Sequence, residues 1–208
     1  MIWFTSDTHF FHRNVIEYCQ RPWANVQEMN AGLISNWNAR VKPNERVYVL
    51  GDFCFGGNTR AREILSQLNG HKILIRGNHD QPAHKMIAAG FSEVYENERI
   101  ELPNGQSVLL SHFPFHPDSL NDEDYWRIYE HDQRYTHKRI MDDRESILLH
   151  GHVHQQWKTQ GRQINVGVDV WNQGPVSHEQ IQILTEHINF RRRLDCETSN
   201  MSRTAGVR

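Results

Sequence analysis

The chain has 208 residues, 38% hydrophobic and 23% charged, which suits one folded α/β-sized domain and is too apolar for a wholly disordered chain. Its formal net charge of −2 gives no general attraction to long nucleic acid, and its odd three cysteines, Cys19, Cys54 and Cys196, read as reduced thiols rather than a disulfide framework. No apolar run approaches the roughly 20 residues of a membrane span, and the first residues lack a signal peptide's basic start and apolar core, so a cytoplasmic location is expected.

Ile2, Trp3 and Phe4 read as a short buried strand that runs into Ser6-Asp7-Thr8-His9. Val26, Met29, Leu33, Trp37 and Val41 recur at three- and four-residue steps and predict an amphipathic helix that Pro43 stops. A strand over Arg46–Leu50, a helix over Ala61–Leu68 and a strand over Lys72–Ile75 follow, so the chain opens β, α, β, α, β. Pro82 suits the first turn of a short helix that Gly90 closes. Arg99–Leu102 and Ser107–Ser111 flank Pro103-Asn104-Gly105, a hairpin signal in which Asn-Gly accommodates positive φ. Ile147–His150 and Gln163–Val168 read as further strands with a turn near Gly161, and Ser177 with Gln180 forms a capping box ahead of Ile181, Leu184 and Ile188. Asp118–Arg144 is polar and reads as a helical excursion over the domain's edge. The domain is expected to span residues 1–188. From Asn189 the composition cannot bury much, so 189–208, including Arg191-Arg192-Arg193, is expected to be a loose solvated tail rather than a phosphate-binding arm.

Fourteen histidines are many for this length. Five polar blocks each follow a predicted strand: Asp7-Thr8-His9, Gly51-Asp52, Gly77-Asn78-His79-Asp80, Ser111-His112 and Gly151-His152-Val153-His154. Singly, most could be solvated turns or caps. Strand ends of one sheet edge lie close in space, however, so residues distant in sequence can converge on one small volume. Carboxylate, carboxamide and imidazole donors without thiolate suit Mn, Fe, Zn or Ni better than Ca or a structural zinc knuckle.

These blocks resemble the calcineurin-like metallophosphoesterase family, whose pattern is Asp-x-His, Gly-Asp, Gly-Asn-His-Asp or Glu, His, and Gly-His-x-His. The resemblance spans residues 5–154. It implies a two-sheet α/β sandwich with helices outside (α/β/β/α) and two divalent cations, with Mn the favoured ion. It also implies that Asp7, His9 and His154 hold one cation, that Asn78, His112 and His152 hold the other, and that Asp52 bridges them. His79 is expected to protonate the leaving oxygen, with Asp80 as the carboxylate that orients its ring.

Around this set, His12, Arg13 and Asn14 are candidates for lining the phosphate pocket, and Phe53 and Phe55 for stacking a base. Asn165, Gly167 and Asp169 are expected to give structural support. The implied activity is hydrolysis of a phosphate ester by hydroxide held between the metals. The expected substrate is a small phosphorylated molecule, a nucleotide or cyclic nucleotide diester first. Phosphomonoesterase, nuclease and a non-catalytic metal-binding interaction scaffold are the alternatives, and no membrane partner is expected.

Overall fold

The computed structural model describes residues 1–119 and 133–205. In chain order the elements are β1 (Ile2–Thr5), α1 (Asn14–Tyr18), α2 (Val26–Arg40), β2 (Arg46–Val49), α3 (Gly57–Leu65), β3 (His71–Ile75), α4 (Ala83–Ala89), β4 (Glu93–Tyr95), β5 (Asn97–Glu101), β6 (Ser107–Ser111), β7 (Ile147–His150), β8 (Thr159–Gln160), β9 (Gln163–Asn165), β10 (Val176–Ser177) and α5 (His178–Ala205). The strands form two five-stranded mixed sheets, ordered β10-β1-β2-β3-β4 and β5-β6-β7-β9-β8. β1 to β4 run parallel and β10 joins them antiparallel. In the second sheet β6, β7 and β9 are parallel, flanked by antiparallel β5 and β8.

Alternation along the strands decides what each face buries. Phe4, Tyr48, Leu50, Ile73 and Ile75 meet Val108, Leu110, Ile147, Leu149 and Ile164 in the core between the sheets. Val47, Val49 and Leu74 point the other way, onto Met29, Leu33 and Trp37 of α2, Ala61 and Ile64 of α3, and Met86 of α4. This is the expected layered α/β architecture of two mixed sheets with helices.

Helix boundaries follow from capping. The Asn25 side chain accepts from Glu28 N at 2.9 Å, and Glu28 reaches back to Ala24 N, which starts α2. Ser177 and Gln180 exchange side-chain to backbone bonds at the start of α5, as their spacing predicts. α3 begins at Gly57 rather than Ala61, because Gly56 and Gly57, both at positive φ, turn the chain directly into it. The predicted strand over Gln163–Val168 stops at Asn165, and Val168–Val170 is a 3-10 turn.

Over the expected solvated tail the backbone is helical in α5 as far as Ala205. No Gly or Pro interrupts the chain between His178 and Ala205, and Leu, Glu, Arg and Met there favour a helix once Ile181 is anchored in the inter-sheet core. The excursion expected over Asp118–Arg144 shows 3-10 turns at Pro117–Ser119 and Gln133–Lys138, and its middle lies outside the described residues. Among the described residues no helix is long and apolar enough to cross a membrane.

Phe53, a candidate for stacking a base, is a core residue. It is 0% exposed and packs its ring 5.3 Å from that of Phe10 and 5.2 Å from that of Phe91. Phe53→Ala should therefore lower the unfolding free energy by about 3–5 kcal/mol, read by urea denaturation, whereas Phe55→Ala should cost less than half as much.

Candidate metal centre

The polar blocks are delivered by the carboxyl ends of parallel strands in both sheets, which are tied directly to one another. Asp7 N donates to Gly51 O (3.1 Å), His9 N to Asp52 O (3.0 Å) and Gly151 N to His112 O (3.0 Å), while Ser6 bridges to Gly167. Close approach demands missing side chains. A Cβ on Gly77 would collide with Asp52, and one on Gly151 with Ser6 Oγ and the Asp7 carboxylate.

Asp7, His9, Asp52, His152 and His154 all adopt positive φ, between 48° and 71°. That conformation is uncommon for residues other than glycine and is costly, and it gathers at functional sites where surrounding bonds enforce it. Here those bonds are the inter-loop contacts just described.

The seven candidate ligands converge. Donor atoms of Asp7, His9 and His154 lie within 4.8 Å of one another, as do those of Asp7, Asp52 and His112. Asp52 Oδ2 stands between the groups, 3.6 Å from both His9 Nε2 and His112 Nε2. Asn78 Oδ1 is 3.1 Å from His112 Nε2, and the His152 ring lies 5.1 Å from that of His112. Two imidazoles are oriented from behind. His112 Nδ1 is 2.7 Å from Leu50 O, and since a carbonyl only accepts, Nδ1 carries a proton there, which turns Nε2 toward Asn78 Oδ1 and Asp52 Oδ2. His154 Nδ1–H donates to Asp169 Oδ2 at 2.8 Å.

The donor set fits a divalent cation. Asp7 Oδ1 and both nitrogens of His9 are buried without a hydrogen-bond partner, a burial that would cost about 1–3 kcal/mol each if nothing bound them. Charge agrees. Burial pushes the Asp52 carboxyl up to about 6, with the imidazole of His112 only partly opposing it, and burial takes His9 well below its ordinary range. For His154 burial works downward but is overcome by the bonds to Asp169 and Cys19, which raise it to about 11, so this ring has to give up a proton before it can hold a cation. Cys19, His154 and Asp169 also fall within 4.8 Å of one another, but both Asp169 oxygens are engaged by Arg21, so that group orients His154 rather than offering a separate cage.

The cluster opens on a cavity of about 450 Å³. His79 lines it with a side chain 44% exposed, its Nε2 3.9 Å from Asp52 Oδ2 and its backbone N donating to Asp52 Oδ1 at 2.9 Å. His12 and Phe55 also line it, stacked face to face with centroids 4.0 Å apart and planes 8° from parallel. Arg13 and Asn14 are exposed at the start of α1 and do not contribute to its wall. Asn165 lends structural support by donating to His154 O at 2.7 Å and Trp157 O at 2.8 Å.

Asp80 departs from the expected pairing with the His79 ring. Its oxygens accept from Asp52 N (2.9 Å), Phe53 N (3.0 Å) and Gly77 N (2.8 Å), so it fastens the Asp52 loop to the β3 loop. A carboxylate three residues past Gly77 turns back on its own loop, as Asp side chains commonly do. Arg21 was invisible to sequence reading. Its guanidinium is wholly buried behind the first block, where no periodicity or motif flags it. Asp80→Ala would strip three backbone donors of their acceptor, so unfolding free energy should fall by about 3 kcal/mol or more in chemical denaturation; an unchanged stability would refute the fastening role.

The chain is similar to known proteins over most of its length. The model of the calcineurin-like phosphoesterase superfamily domain matches residues 1–185. An uncharacterized protein of Methanocaldococcus jannaschii is 38% identical over 187 residues, covering 89% of this chain and 91% of that one. The gene 66 protein of Mycobacterium phage L5 is 34% identical over 209 residues, covering 90% of this chain and 95% of that one. The crystal structure of a protein of unknown function from Aquifex aeolicus matches with a TM-score of 0.63 at 30% identity, covering 88% of this chain and 98% of that one. With the family's domain spanning nearly the whole described fold, the chain belongs to the calcineurin-like phosphoesterase superfamily.

Proposed function

We propose that the chain is a phosphodiesterase acting on nucleotides or cyclic nucleotides, with Asp7, His9 and His154 holding one divalent cation, Asn78, His112 and His152 the other, and Asp52 shared. Membership of the family supports metal-dependent phosphoester hydrolysis in general. The diester and nucleotide reading rests on the cavity wall. The parallel His12–Phe55 stack, with the exposed Tyr18 ring edge-on to His12 at 6.4 Å, offers a flat aromatic shelf beside the cluster on which a base can stack. The described wall carries imidazole, aromatic, amide and carboxylate groups but no Lys or Arg, which suits a monoanionic diester better than a dianionic monoester.

Two divalent cations, when bound, supply Lewis-acid charge to the phosphoryl oxygens and make water a stronger nucleophile near neutral pH; Mn is the ion we favour. Water adds to phosphorus as the bond to the leaving oxygen breaks, His79, beside Asp52 but open to the cavity, gives that oxygen its proton, and the proton that water loses passes to solvent, from which His79 is reprotonated. Asp52 keeps His79 in place by accepting its backbone N–H, and Asp80 keeps Asp52 in place.

With Mn added, bis-p-nitrophenyl phosphate should be hydrolysed faster than p-nitrophenyl phosphate, and chelation should abolish both activities reversibly. A monoester preference would overturn the diester reading, and no turnover with any divalent metal would overturn the enzyme. A screen of cyclic nucleotides, 2′,3′-cyclic ends and dinucleotides should find the fastest substrate among base-bearing diesters. His79→Ala should slow turnover by about 10² to 10⁴ fold with metal content unchanged, whereas Asp52→Ala should lose activity and metal together; metal loss in His79→Ala would show that His79 is a ligand instead.

A further inference from the structure

We infer that Arg21 is a positioning residue for one half of the cluster, the half formed by Asp7, His9 and His154; the inference rests on reading that half as a cation site. Arg21 follows Gln20, which is at positive φ, and its backbone N donates to Ile16 O at 2.9 Å, so the short α1 turn aims the side chain inward. The guanidinium is 0% exposed and its donors are all engaged. Nε and Nη2 grip the two oxygens of Asp169 at 2.8 and 3.1 Å, Nη2 also donates to Asp7 O at 2.6 Å, and Nη1 donates to Thr8 O at 2.8 Å and faces Met29 Sδ at 3.6 Å.

One planar fork thus joins the loop after β1 to the turn after β9. Asp169 passes that placement on, because the oxygen gripped by Nη2 also accepts from His154 Nδ1. Arg21 therefore sets the position of Asp7 through its carbonyl and the ring of His154 through Asp169. The charges are matched as well. A buried cation behind a cation site would repel its ion, but the bidentate carboxylate neutralises Arg21 where it stands.

The other half touches this system where the His152 N–H donates to Asp7 Oδ2 at 2.9 Å, but its His112 ring is held differently. His112 is oriented by the carbonyl of Leu50, inside the sheet framework, and makes no use of Arg21. A lysine could not replace the fork, since its compact ammonium cannot span a carboxylate and two carbonyls in one plane. Loss of the fork should therefore divide the two cation sites.

The test is titration of chelator-stripped protein with Mn²⁺, read by calorimetry for stoichiometry and by electron paramagnetic resonance for coupling between neighbouring ions. Wild type should take up two ions with a coupled signal. Arg21→Lys should weaken one site by about 10- to 100-fold, leave the other within about threefold and lose the coupled signal at Mn²⁺ levels that saturate wild type. Should Arg21→Lys fail to fold, Asp169→Asn, which keeps the side chain's shape but not its second acceptor oxygen, should lose the same single site. Equal weakening of both sites, or two unchanged sites in a folded variant, would overturn the inference alone. Wild type that takes up no divalent cation would overturn the metal reading and the inference together.

Discussion

The carboxylate of Asp52 is held in the middle of the cluster by Asp80, which fastens its loop against the one that follows β3. Three backbone donors from two loops end on that single side chain. Asp52 then faces His9 and His112 at 3.6 Å each and accepts the backbone N–H of His79. Both donor groups and the backbone of His79 thus meet at this one carboxylate.

Holding it is expensive. Buried carboxylates and imidazoles lose hydration, and five of the candidate ligands sit in a backbone conformation that side chains disfavour. The fold offsets this in two ways. Two apolar layers, one between the sheets and one beneath the helices, keep the strand ends in register. Glycines at 77 and 151 let the loops approach closely enough to share hydrogen bonds, and what remains unpaired, notably on Asp7 and His9, is the valence a cation would fill.

The two halves of the cluster are supported from different depths. Sheet backbone orients His112, whereas His154 depends on a chain of side chains through Asp169 to Arg21. A side-chain relay can be tuned by single substitutions in a way that a backbone carbonyl cannot. The stacked rings of His12 and Phe55 pack against His9, at 5.3 and 5.8 Å between centroids, and give the cavity a flat aromatic wall beside that half of the cluster.

The amino-acid sequence alone determined the elements whose cause is local. The four-residue steps of Met29, Leu33 and Trp37, the Asn-Gly hairpin and the Ser177–Gln180 cap each correspond to an observed element, because periodicity and turn chemistry act over a few residues. It also marked the polar blocks, since their order and their places after strands are a property of the chain. Only the tertiary structure decided that Phe53 is core while Phe55 lines the pocket, that Asp80 binds backbone rather than His79, and that Arg21 reaches the cluster at all. These depend on which face a side chain takes and on loops that meet across two sheets, and a partner 148 residues away, as Asp169 is from Arg21, leaves no trace in local spacing. The helical course of the chain beyond Asn189 likewise has no signal in its polar composition, although no Gly or Pro interrupts it as far as Ala205.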